Sequence, residues 1–74
     1  MATPYMVRDI WLAAYAKLRG VPFLGVTRDV RGYAYWNFEH EAMIPVVGEW
    51  HAKNATVPIE AYHTVFLELK ALIK

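Results

Sequence analysis

The chain has 74 residues, of which 57% are hydrophobic and 15% aromatic; it carries a net charge of +1 and no cysteine, serine or glutamine. That length holds one domain, 1–74, with a small core, and the missing residue types exclude disulfides, thiolate metal sites and cysteine or serine nucleophiles. A charge so near zero argues against a generic nucleic-acid binder, and no charge-free run of about 18 apolar residues marks a membrane span.

Val7, Ile10, Trp11, Ala14, Tyr15 and Leu18 recur at spacings of three and four, which predicts a first helix with one apolar face. Asp9 suits its N-terminus, Lys17 and Arg19 its last turn, and Gly20 its left-handed stop. Tyr5-Met6-Val7 reads as a short extended segment before it. Residues 23–28 read as a strand, Asp29-Val30-Arg31-Gly32 as a turn and Tyr33 to Phe38 as a second strand. A three-residue loop with Gly32 in the bulge position pairs Asp29 with Tyr33, Arg28 with Ala34, Val26 with Trp36 and Leu24 with Phe38. One face is then Leu24, Val26, Ala34, Trp36 and Phe38; the other is Gly25, Thr27, Tyr33, Tyr35 and Asn37.

A second helix is expected within 39–53, beginning near Ala42 so that Pro45 falls in its first turn, with Met43, Ile44, Val47 and Trp50 on one side. Asn54 to Val57 form a connector, and Pro58 fits the first position of a third helix. Ile59, Tyr62, Val65, Phe66, Leu69, Leu72 and Ile73 give that helix a broad apolar face, with Glu60 in its first turn and Lys70 and Lys74 in its last. The order α-β-β-α-α makes a small two-layer α+β domain around a central antiparallel hairpin. Trp11, Trp36 and Trp50 all fall on inward faces, where Asn37, Asn54 or a carbonyl would receive their indole N–H groups.

The chemistry is sparse. His40, His51 and His63 are too far apart in sequence for ligands one helical turn apart. Glu39 and Glu41 are better placed to serve a helix N-terminus than acid–base work. The four glycines form no phosphate-cradling loop. No enzyme activity, cofactor or metal is therefore expected.

Two binding surfaces remain. Arg28 and Arg31 flank the turn, beside Tyr33 and Tyr35 on the polar strand face, a pattern suited to holding phosphates and stacking the bases of single-stranded nucleic acid. The third helix, through Tyr62, Phe66, Leu69 and Ile73, is wide enough to serve both a core and a neighbour, which predicts a homodimer or other homo-oligomer. Charge is uneven: five cations against two carboxylates in residues 1–36, three against five in 37–74. Such a field would steer a partner.

Asp9 followed by Ala13-Ala14 and Gly20, then Leu24-Gly25-Val26, the Arg28-Asp29 turn, aromatics ending in Trp36 and Phe38, and Val57-Pro58 before a helix with Leu67, Leu69 and Lys70 form a pattern along nearly the whole chain. It resembles a family of short uncharacterised proteins from bacterial, archaeal and mobile-element genomes, a domain of unknown function. Pro45 and Gly48 depart from the even second helix of such proteins. The resemblance transfers no activity; it implies a small accessory protein, often near replication or mobile-element genes. The expected function is a non-catalytic protein-interaction or assembly module, homodimeric and cytoplasmic, with no membrane association. The alternative is a single-strand-binding accessory protein of a phage or mobile element.

Overall fold

The computed structural model describes residues 3–53 and 55–73, so Asn54 and Lys74 lie outside the described residues. Six elements follow one another: β1 (Tyr5–Val7), α1 (Ile10–Leu18), β2 (Phe23–Arg28), β3 (Ala34–Phe38), α2 (His40–His51) and α3 (Ile59–Ala71). The fold is α+β, built on the expected hairpin of β2 and β3. The extended segment at Tyr5–Val7 becomes a third strand on the far side of β3, giving an antiparallel sheet of order β1-β3-β2. The shortest extent of the molecule is 18 Å. A helix is about 10–12 Å across, so this thickness fits two layers and not three.

The ends of α1 are set by the expected residues. Asp9 accepts the Trp11 amide at 2.9 Å, satisfying one of the free donors of the first turn. At the other end Gly20 takes φ +86°, which lets the Gly20 amide donate to the Lys17 carbonyl and the Val21 amide to that of Ala16, both at 3.1 Å. Leu12, Ala13, Ala14, Tyr15 and Ala16 are consecutive and all buried. The expected single apolar face is thus corrected: α1 is enclosed nearly all round by the sheet, α2 and α3, and its alanines let them approach closely. Val7 belongs to β1 rather than to this helix.

The hairpin has the predicted turn. The Asp29 amide donates to the Tyr33 carbonyl at 3.1 Å and the Gly32 amide to that of Asp29 at 3.0 Å, with Gly32 at φ +86°. Arg28 stands opposite Ala34, Thr27 opposite Tyr35 and Val26 opposite Trp36. The expected pairing of Leu24 with Phe38 does not form. Gly25 adopts φ +118°, a conformation open to glycine, and the ladder skips a residue there. Phe23 therefore faces Phe38, their rings 5.4 Å apart, and Leu24 is left 57% exposed.

The second helix begins earlier than expected. Glu39 caps it by accepting the amides of Glu41 at 3.2 Å and Ala42 at 2.7 Å, so Pro45 lies beyond the first turn. Its buried side is Met43 and Val46, flanked by Ala42, Val47 and Trp50, while Ile44 faces water. In α3, Pro58 is the N-cap rather than the first helical residue, and no side chain caps that end. Only Leu69 of α3 is fully buried.

Phe38, Met43 and Leu69 are the largest side chains wholly withdrawn from water. Each stabilises the fold by about 1.5–3 kcal/mol relative to exposure. Trp36 joins them, its indole donating to the Leu69 carbonyl at 3.1 Å and so tying the sheet to α3. The three tryptophans do not share a core: Trp50 is half-buried against Tyr15, and Trp11 is exposed.

Candidate interaction surfaces

Two surfaces emerge, one between α1 and α3 and one on the open side of the sheet. The first is built around Trp11. Because α1 is enclosed, the residue in its first turn emerges where the neighbouring helix ends the cover, and 52% of Trp11 is exposed. Its ring stacks on Phe66 at 4.5 Å and on Tyr62 at 6.2 Å, and the Tyr62 hydroxyl donates to the Trp11 carbonyl at 2.7 Å. Burial raises the Tyr62 phenol above its ordinary value, helped by the charge of Asp9. These rings, with Ile59, Glu60 and His63, line an open apolar groove of about 630 Å³. Ile59 at its rim is 80% exposed, and Leu67 is exposed further along α3.

Of the residues expected to form an interface, Tyr62 and Phe66 sit in this groove and Ile73 is half-buried at the far end of α3. Leu69 is corrected. It is 0% exposed, enclosed by the chain's own core, and offers nothing to a neighbour. Trp11, read from spacing as an inward residue, and Ile59, placed on the broad apolar face of the third helix, are the exposed residues here. The signal that singles them out is positional: each lies in the first turn of its helix, where cover from neighbouring elements ends.

The second surface is the sheet face away from the helices. Tyr33 and Tyr35 lie on it as expected, beside Met6 and the buried Asn37, whose amide donates to Thr27 Oγ1 at 3.1 Å and to the Gly25 carbonyl at 3.3 Å. Sequence reasoning missed Arg8, which follows β1 and holds its guanidinium 4.1 Å from the Tyr33 ring centre. Nothing in the local sequence links residue 8 to residue 33; the third strand does.

The hairpin's charged groups are largely engaged within the fold. Arg28 donates to the Gly32 carbonyl at 2.9 Å and to the Ile73 carbonyl at 2.7 Å, fastening the turn to the end of α3. Asp29 accepts the amides of Arg31 and Tyr33 at 2.8 and 3.0 Å and the Tyr35 hydroxyl at 3.1 Å. Burial works to raise the Asp29 carboxyl, but these hydrogen bonds outweigh it and hold the group below its ordinary value. The bond to Asp29 in turn raises the Tyr35 phenol. Among the described residues only the Arg31 guanidinium of this set meets no acceptor, and an ionised carboxylate stands at the centre of the cluster.

Glu49 forms a third polar group across α1 and α2. It accepts the Tyr15 hydroxyl at 2.8 Å and pairs with Arg19 at 2.9 Å. The Tyr15 bond first, and Arg19 second, hold the Glu49 carboxyl below its ordinary value. Among the described residues no three histidine or carboxylate side chains gather as a metal site requires. His40 packs near the Tyr5 ring and His63 lines the groove. No helix of the described residues is long and apolar enough to cross a membrane.

No family model matches the chain, and the comparisons with curated proteins and with solved structures find none that is similar to it.

Proposed function

We propose that this protein is a non-catalytic assembly module that works by binding, and that its primary association is with a second copy of itself through the α1–α3 face. The observation that carries this reading is the exposed aromatic stack of Trp11 on Phe66 and Tyr62, continued by Ile59 along one apolar groove. Contiguous apolar surface on a small chain favours association, and a 74-residue domain has little core to spare. A cytoplasmic setting, and the accessory role near mobile-element genes implied by the sequence resemblance, belong to the same proposal.

Sedimentation or light scattering from low-micromolar concentration upward should give twice the monomer mass. Ile59→Asp should return it to the monomer with an unchanged circular dichroism spectrum, since that side chain is exposed. A monomeric mass for the wild-type chain throughout would overturn the reading.

One observation favours the single-strand-binding alternative: Arg8 adds a cation to the Tyr33–Tyr35 face, over the Tyr33 ring. Against it stands Asp29, whose charge would repel a phosphate at the same place. Labelled single strands titrated into the same samples decide between them. Binding that weakens steeply with salt, and that disappears on Arg31→Ala with Tyr33→Ala, is the outcome that would install the alternative.

A further inference from the structure

The exposed flank of α3 has an order that the groove alone does not explain. At about 100° per residue, Ile59, Lys70, His63, Leu67 and Glu60 fall in that sequence across an arc of about 100° of the helix surface. This arc borders the side that carries Phe66 and the buried Leu69, and all five residues face water. Four of its members are placed symmetrically along the helix about the level of Val65, with Glu60 and Lys70 equidistant from it on either side, and likewise His63 and Leu67. Neither Glu60 nor Lys70 makes an ion pair among the described residues, whereas the neighbouring Glu68 is already paired with Lys17.

A surface with this pattern is complementary to itself when turned end for end. We infer that α3 packs antiparallel against α3 of a second copy, about a twofold axis passing the helix at Val65. That axis sets Glu60 of each copy beside Lys70 of the other, and His63 beside Leu67. The Lys70 stem then lies over Ile59 and closes the mouth of the groove below Trp11, its ammonium reaching Glu60. Two ion pairs related by symmetry rim a centre made by His63 and Leu67 of each copy, with charge at the edge as in other protein interfaces. A parallel arrangement of the same helices would instead stack Glu60 on Glu60 and Lys70 on Lys70, which is repulsive. Charge thus selects the antiparallel pairing.

This inference rests on the self-association proposed above and adds its geometry. The test compares the dimer dissociation constants of wild type, Glu60→Lys, Lys70→Glu and the double variant by sedimentation. Each single change places two like-charged contacts in the interface and should weaken the dimer by about tenfold or more at low salt. The double variant exchanges the signs, rebuilds both pairs and should return to within a few-fold of wild type. Both substitutions oppose the dipole of α3, so the double variant is the least favourable for the isolated helix; recovery of its dimer cannot come from a more stable monomer. A double variant no tighter than the singles, or singles indistinguishable from wild type, would overturn the antiparallel pairing. If that happens while Ile59→Asp still dissociates the dimer, only the pairing falls; a monomeric wild type removes both.

Discussion

Lys53 ends α2 with φ +61°, the only positive value outside glycine among the described residues, and its amide donates to the Trp50 carbonyl at 3.1 Å. An L side chain in that conformation crowds the following carbonyl, a strain of about 1–2 kcal/mol that glycine escapes, offset in part by glycine's greater freedom when unfolded. Lys53→Gly should therefore raise the unfolding free energy by about 0.5–1 kcal/mol in denaturant titration; an unchanged or lower value would show the position to be relaxed. The contrast with α1 explains what single residues disclose. Asp9 and Gly20 announce their helix ends because a carboxylate and a missing Cβ are suited to those roles. Lys53 announces nothing, since lysine carries no preference for the left-handed region. The same holds at Trp11, where an indole reads as core material whether or not another element covers it.

At the level of elements, Pro45 is the clearest conflict between local preference and fold. It lies beyond the first turn of α2, where it cannot donate the amide hydrogen bond that the helix offers at the Glu41 carbonyl. Replacing it with alanine restores that donor. Pro45→Ala should raise the midpoint of thermal unfolding, with a net gain of about 1–2 kcal/mol after the greater freedom of the unfolded chain is counted. A lower midpoint would mean that the proline ring itself packs. Helix α2 survives the proline because Met43 and Val46 anchor it to the core and Glu39 caps its start, tertiary and end effects that a proline rule does not contain. The limits of β2 and the turn register were legible because a one-residue slip from Asp29 onward would have mixed the two side-chain sets. The bulge at Gly25 was not, for glycine in a strand signals a bulge only once its partner strand is fixed. Nor was the pairing of β1, which depends on contacts with β3 some thirty residues away.

For the molecule as a whole, the link between α1 and α2 through Tyr15, Glu49 and Arg19 makes stability depend on acidity. The folded Glu49 carboxyl titrates below its ordinary value of 4.5, so its contribution is complete above that value and is lost as the pH falls through it toward the folded one. Asp29 acts in the same direction from an ordinary value of 3.8. The thermal midpoint should therefore fall on acidification below about pH 5, and Glu49→Gln should be less stable at neutral pH with a shallower acid slope. Parallel slopes for the two proteins would assign the acid loss elsewhere. The two-layer α+β organisation was legible from periodicity, whereas the candidate surfaces were legible only in part. Tyr33, Tyr35, Tyr62 and Phe66 stand on the surfaces expected of them. Arg8 and Trp11 join those surfaces, and Leu69 leaves them, because exposure is decided by which elements end beside one another.

The extra residue at Leu24 has a bearing on how the protein behaves in a crowd. Strand β2 is an outer strand of a short sheet, and a regular row of main-chain groups there would template strand-by-strand growth into fibres, a real hazard for a chain so rich in apolar residues. The interruption at Leu24 and Gly25 breaks the repeat that an incoming strand would have to match. Polymerisation through the sheet is thereby discouraged while the helical face stays available, so the closed pair proposed above would form without seeding an open-ended aggregate.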